Sequence, residues 1–393
     1  MMGKLKACCY LKNNKKRAAI LVISFALYFA LIYGVQFFMD PMFYTDKSIY
    51  LGNAKLMQRC HINMAGKLPL NEELWNEDSM ATDEEKIQEL NRAIGDFAKE
   101  LANDERIDHV FCGFTYYIQI QTLTGPSHYN IPMITKDEAK LMCDYLGYRL
   151  IEGSYPTNPG DIVMDQNMAR NQDLSVGDRL ENSTNQVCGI LSGDHYFAVG
   201  ISFDEMIVKR NLFFLDQGTL PDLKQFFQEK DWEASEKESS QIQILSDSTH
   251  SRKLLEDMKK GYDQPLTIMV YAITVIMGVT LYFVYQLHVR DRYEEWCLYR
   301  SLGYSQREVF GLALREYGLC TLASGILALV LLILIFGIGG SMMSSKGIFY
   351  RLLLPETCKQ IIAIIVLLTG ILQIPVLRAM QHITTIDGIE DDI

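Results

Sequence analysis

Residues Leu266–Leu287 read LTIMVYAITVIMGVTLYFVYQL, 22 positions without one charge. A helix rises 1.5 Å per residue, so about 20 residues cover the roughly 30 Å of hydrocarbon in a bilayer. Three further stretches share this character: Ala18–Met39, Tyr317–Gly340 and the shorter Ile361–Leu377. Buried helices of water-soluble domains seldom run so far uncharged, because one face usually meets water. The whole-chain averages, 49% hydrophobic residues and a net charge of -11, conceal this unevenness. The first stretch is longer than the roughly 7 to 15 residues of a signal-peptide core, and Asp40-Pro41-Met42-Phe43-Tyr44 after it lacks a small-x-small cleavage pattern. It therefore reads as a retained span.

Orientation follows from the basic residues of the short segments. Six Lys and Arg precede the first span, and Arg290, Arg292, Arg300, Arg307 and Arg315 lie around the segment joining the second and third. Both segments are expected in the cytoplasm of a cell whose plasma membrane the chain crosses four times. The expected layout is a cytoplasmic N-terminus 1–17, span 18–39, an extracytoplasmic domain 40–263, span 266–287, a cytoplasmic loop 288–311, span 312–340, an extracytoplasmic loop 341–360, span 361–377 and a cytoplasmic tail 378–393. The fold class is thus a membrane protein with four transmembrane α-helices and an α+β domain inserted between the first two.

Between residues 40 and 263 there are 22 Lys plus Arg and 38 Asp plus Glu, a balance of -16, which leaves +5 for the rest. An acidic domain excludes nucleic acid as a partner, since phosphate binding needs a basic face. Acidity suits a cationic ligand, and also serves solubility alone. Cys60, Cys112, Cys143 and Cys188 fall in this domain and allow up to two disulfides among three connectivities, or free buried thiols. Cys8 and Cys9 near the inner face are unmodified thiols or acylation sites.

Within the domain, Thr82-Asp83-Glu84-Glu85 is a capping box that opens a helix with an apolar stripe of Ile87, Leu90, Ile94, Phe97 and Leu101. Val110–Leu123 is rich in aromatic and β-branched residues and reads as strand. Thr135-Lys136-Asp137-Glu138 caps a second helix. Ile162–Met164, Val187–Leu191 and Tyr196–Ile201 read as short strands, Asp165–Gln172 as a helical turn and Leu174–Leu180 as a turn running into strand. A last helix begins near Pro221, and Glu229–Ser240 reads as a solvated loop. His61, His109, His128, His195 and His250 form no metal or catalytic spacing, Asp194-His195 reads as a hairpin tip, and Asn182-Ser183-Thr184 fits a glycosylation acceptor. No cofactor site is expected in this chain.

The informative segment is His288–Ser305. It reads as a short helix with Tyr293, Trp296, Cys297 and Arg300 on one face and Leu298 and Leu302 on another. Gly303 supplies the left-handed stop, and Ser305-Gln306-Arg307-Glu308 caps the next helix. From residues alone, a docking handle for a partner and an ordinary interfacial helix remain open.

The order Arg292-x-x-Glu295-x-x-Leu298-x-Arg300-x-Leu302-Gly303-x-Ser305, with Glu316 at the mouth of the third span, resembles the ATPase-coupling segment of MacB and FtsX-type ABC transporter permeases. Gly153, Pro156, Asp161-Ile162-Val163, Ala169 and Val176-Gly177-Asp178 are similar to a stretch of MacB-type periplasmic core domains. The layout of one span, a large domain and three spans matches as well. MacB carries a fused ATPase, whereas 17 residues precede the first span here, so the resemblance implies a separate ABC ATPase subunit that binds ATP and Mg. The domain is larger than in FtsX, nearer to MacB and LolC. The resemblance further implies a permease dimer, homo- or heterodimeric, that moves its ectodomains without passing substrate through the membrane interior. Two roles follow: export of a peptide or hydrophobic substrate, or FtsX-like activation of an extracellular partner such as a cell-wall hydrolase. No ionisable residue interrupts the apolar runs 18–39, 266–287, 317–340 and 361–377, which fits mechanical transmission rather than a polar pathway.

Overall fold

The computed structural model describes residues 15–51, 58–63, 67–71, 74, 81–181, 183–193, 195–202, 207–215, 220, 222–351 and 354–382. Cys8, Cys9, Asn182, Asp194 and Pro221 lie outside them. In chain order the elements are α1 (Lys15–Leu51), β1 (Gln58–Ile62), α2 (Asp83–Ala102), β2 (His109–Thr122), β3 (Gly125–Ile134), α3 (Lys136–Leu146), β4 (Arg149–Gly153), β5 (Asp161–Asp165), α4 (Gln166–Gln172), β6 (Gln186–Ser192), β7 (Ala198–Ile201), β8 (Asn211–Leu215), α5 (Leu223–Glu229), β9 (Ala234–Ser235), β10 (Ile242–Ser246), α6 (Ser248–Ser301), α7 (Gln306–Ser345) and α8 (Pro355–His382). They form two compact units.

One unit comprises Met1–Asp40, Tyr262–Ser341 and Arg351–Ile393. It holds the apolar parts of α1, α6, α7 and α8, four helices long and apolar enough to cross a membrane. Phe25, Tyr28, Phe29 and Ile32 recur at helical spacing and pack with Leu281 and Tyr285 of α6, Tyr317 of α7 and Leu372 of α8. The outward rows are just as apolar. Leu322, Ile326, Leu329 and Ile333 of α7 are exposed in succession, an arrangement that water penalises and lipid accepts.

The second helix differs from the sequence reading. Instead of a span followed by a separate short helix, α6 is one helix of 54 residues. Polar residues after Leu287 end the apolar run but not the backbone hydrogen-bond ladder, and no Gly or Pro interrupts positions 288–301. The first helix likewise continues past Met39, through Pro41, to Leu51.

The other unit, Pro41–Gly261 with Met342–Tyr350, is α+β. Its ten described strands form a mixed sheet in the order β4-β6-β5-β7-β3-β2-β8-β1-β10-β9. Strand alternation sorts the two faces. Cys60, Ile62, Leu212, Phe214, Ile242 and Ile244 meet the buried stripe of α2 and the Phe226–Phe227 end of α5. Phe111, Phe213 and Leu215 point the other way and are covered by Ala139, Met142 and Cys143 of α3. Both expected helix starts carry their capping boxes, at Thr82/Glu85 and Thr135/Glu138.

Three local readings change. Leu174–Leu180 is a turn whose strand character is limited to a bridge between Arg179 and Gln186, because Gly177 is held at φ 99 and Asp178 accepts from the Ser175 N–H. The loop after Glu229 contains the two-residue strand β9, parallel to β10. The helix expected near Pro221 starts at Leu223, capped by Asp222. The four cysteines Cys60, Cys112, Cys143 and Cys188 are free. Residues 342–350 pack within this unit: the Tyr196 hydroxyl donates to the Gly347 carbonyl at 2.9 Å, and the Phe349 ring meets Tyr196 edge-on at 4.8 Å.

Candidate functional site

The α6–α7 turn is closed from both directions by local hydrogen bonds. Gly303, at φ 92, donates to the Arg300 carbonyl at 3.0 Å and Tyr304 donates to Tyr299 at 3.1 Å, a Schellman motif. The Tyr299 and Tyr304 rings cross edge-on at 6.0 Å, and Arg300 donates to the Tyr304 carbonyl at 2.9 Å. One residue later, the Ser305 N–H and hydroxyl each reach the Glu308 carboxylate at 2.8 Å. The Glu308 N–H returns a bond to the hydroxyl. Two caps separated by one residue leave the turn little freedom.

Below the turn the helices are joined by charge. Arg292 of α6 donates to both carboxylate oxygens of Glu316 of α7, at 3.3 and 2.6 Å, and also contacts Glu295 one turn along. The Arg292 and Glu316 side chains are 1% and 3% exposed. A forked guanidinium matched to a carboxylate is the geometry that can offset the desolvation of both ions. Removing one partner strands the other, at a cost of about 3–5 kcal/mol. The sequence reading placed Glu316 at the mouth of the third span. It is buried against Arg292, because α6 continues as a helix and carries Arg292 beside it. Arg315, the neighbouring position, is exposed.

The remaining expected residues divide by helical face. Trp296 is fully buried among Val289, Val309 and Ala313, with no acceptor for its indole N–H among the described residues. Leu298 and Leu302, 58% and 56% exposed, stand one turn apart on the opposite side. Gly303, Ser305 and Glu308 are exposed at the tip. The arrangement is a rigid hairpin that presents an apolar pair outward from a buried ionic base. Such a surface can take a push or a grip; it holds no catalytic constellation. Among the described residues, no group of three His, Cys, Asp or Glu is placed to hold a metal.

The second set of expected positions, in the α+β unit, falls on β4, β5, α4 and the connections beside them. Gly153 sits at φ 78, where an added Cβ would lie 2.2 Å from the Cys188 carbonyl oxygen. Asp161 accepts from the Thr157 and Asn158 N–H groups at 3.0 and 2.8 Å. The sequence reading missed Asp165, fully buried and accepting from Asn167, Met168 and Phe197 N–H groups at 2.8, 3.3 and 2.8 Å. Burial pushes its carboxyl up to about 7 against the pull of those donors. An Asp between a strand and a helix was the available signal, as an N-cap.

Residues 267–386 match the family model of the FtsX-like permease C-terminal domain. No curated protein matches the chain. Among solved structures, the periplasmic region of MacB from Actinobacillus actinomycetemcomitans aligns at 11% identity and TM-score 0.25, over 42% of this chain and 82% of that one. The extracellular domain of the noncanonic ABC-type transporter YknZ from Gram-positive bacteria aligns at 11% identity and TM-score 0.25, over 48% and 99%. A domain of a putative permease protein from Porphyromonas gingivalis aligns at 9% identity and TM-score 0.22, over 38% and 82%. Scores of this size do not establish a common fold; the family-model match concerns residues 267–386 alone.

Proposed function

We propose that this chain, an FtsX-like permease of the ABC-transporter class by its residues 267–386, transmits the motion of a separate ATPase subunit to its α+β unit. The observation that carries the proposal is the pairing of an exposed Leu298/Leu302 surface with the buried Arg292–Glu316 clamp behind it. An ATPase that closes on ATP and Mg grips the two leucines, and the doubly capped turn passes displacement on rather than absorbing it. The clamp makes the lower part of α6 and the start of α7 move together. The unbroken α6, about 80 Å at 1.5 Å per residue over 54 residues, is then the lever toward the α+β unit.

In this reading the basic hairpin lies in the cytoplasm, residues 40–263 lie outside the plasma membrane, and two permease subunits act together. The cargo is a peptide or hydrophobic molecule taken from the outer surface, since the apolar helices offer no charged path. The α+β unit, with its turn positions Gly153, Asp161 and Gly177, serves as a MacB-type core domain. The test is ATP hydrolysis and cargo release by the reconstituted complex. Leu298→Glu and Leu302→Glu are expected to bind ATPase weakly and lose stimulation of activity while remaining folded. Full coupling in both variants would overturn the proposal.

A further inference from the structure

The face of the sheet that α2 and α5 leave uncovered carries a polar groove around Arg59. Strand alternation puts Arg59 and His61 of β1 on that face, because Cys60 and Ile62 are committed to the apolar core. The same rule brings Thr115 and Tyr117 from β2, Asn130 from β3, Asn211 from β8 and Gln243 from β10. In the order β3-β2-β8-β1-β10 these span four strand spacings, about 19 Å at about 4.8 Å each. Toward the α3 end the same face is covered by apolar packing, at Phe111 and Phe213. Around Arg59 it is open.

What distinguishes the groove is how many of its polar groups have no partner within the chain. The Asn211 amide nitrogen donates to the Thr115 hydroxyl oxygen at 2.6 Å. Its carbonyl oxygen therefore accepts from His61 Nδ1, also at 2.6 Å. That chain uses one side of each partner and leaves the Thr115 O–H and His61 Nε2 over. The Tyr117 hydroxyl and the amides of Asn130 and Gln243 have no side-chain hydrogen bond. Most telling is Arg59, half-buried, with neither an ion pair nor a side-chain hydrogen bond among the described residues. Burial pulls it below its ordinary value. A charge partly withdrawn from water without a counterion is unfavourable, and a fold that carries one has a site an anion would complete.

We propose that this groove binds a small ligand through its carboxylate, with Arg59 as the bidentate partner. The planar fork of an arginine fits a planar carboxylate. Asn130 and Gln243 are placed to bond an amide beside it, and Leu245 lines the groove as an apolar contact. Glu238 on the rim disfavours a second negative charge, so a carboxylate is preferred over phosphate. The inference goes beyond hairpin coupling and does not depend on it, since every residue named belongs to the α+β unit.

The test uses the full chain in nanodiscs, titrated with N-acetyl-leucine, its neutral amide N-acetyl-leucinamide and inorganic phosphate, with binding read by saturation-transfer NMR. The acid is expected to bind at least about tenfold more tightly than the amide, and Arg59→Met to weaken it by at least about tenfold. Without probe, Arg59→Met should melt no lower than the wild type, because it removes an uncompensated charge. If that variant fails to fold or melts lower, Arg59 is structural and the proposal falls unless Gln243→Leu and Tyr117→Phe, at the groove's edge, each weaken the acid at least about threefold. Equal binding of acid and amide, no binding at about 10 mM, or tighter binding of phosphate than of the acid would each overturn the carboxylate assignment. Glu238→Gln is expected to improve phosphate binding more than binding of the acid; the reverse would remove the reason given for the preference.

Discussion

Arg292 and Arg59 are both withdrawn from water, and they pose opposite problems. Arg292, in the helical unit, is met by the Glu316 carboxylate on a neighbouring helix and by Glu295 one turn along. Arg59, on the open sheet face, has neither an ion pair nor a side-chain hydrogen bond among the described residues. The buried charge of the hairpin is answered from inside the chain, which makes it a brace. The half-buried charge of the groove is unanswered within the described residues, which makes it, in our proposal, a receptor for something outside. Burial of a cation therefore says little until its counterion is found or found missing.

Substituting the braced arginine gives the largest expected effect. Arg292→Met should destabilise the helical unit by about 3–5 kcal/mol, because Glu316 stays buried and uncompensated. The double variant Arg292→Met/Glu316→Leu should recover most of that. Thermal unfolding in detergent reads both, and equal stability of single and double variants would mean that the pair is not a brace.

Backbone positions come next. Gly153→Ala combines a left-handed φ, which costs about 1–2 kcal/mol, with a Cβ placed 2.2 Å from the Cys188 oxygen, and should be the worse of two glycine variants. Gly303→Ala carries the φ penalty at an exposed tip, at its φ of 92. The ranking, measured by melting temperature, separates a turn pressed against a sheet from a turn at an exposed tip.

A third measurement concerns Asp165, the buried acid of the α+β unit. Its folded value, about 7, lies above the roughly 3.9 of an unfolded aspartate. The stability it contributes is therefore complete below about pH 4 and is lost as pH rises through 7. The α+β unit should melt lower at pH 8 than at pH 5, and Asp165→Asn should flatten that difference; an unchanged slope would place the titration elsewhere.

The smallest stability effects are expected at the two surfaces thought to meet other molecules. Leu298→Glu and Leu302→Glu should stay within about 0.5 kcal/mol of the wild type, as exposed substitutions do, while coupling to ATP hydrolysis is lost. Arg59→Met should be neutral or stabilising by about 1 kcal/mol. A substantial loss of stability at any of the three would mean a structural role for that side chain.

Much of this was legible in the sequence where information is local. The uncharged runs mark the four helices, and the boxes at Thr82, Thr135 and Ser305 mark helix starts because a cap needs residues three apart. The stop at Gly303 and the exposed Leu298/Leu302 face follow from helical spacing. The length of α6 was misjudged, since hydropathy reports where lipid ends and not where a helix ends. The burial of Glu316 was not legible because its partner is 24 residues away and comes alongside only when α6 and α7 pack. The groove gave no signal at all: its residues come from five strands, and the net acidity of the domain pointed toward cations while the local charge there is an arginine.

The membrane class and the helical caps were determined by the sequence alone, because each depends on composition or on neighbours within a few positions. Which charges are answered and which are not was decided by tertiary structure. A counterion is a matter of distance in space, and distances between residues 59 and 243, or 292 and 316, exist only once strands and helices have been brought together.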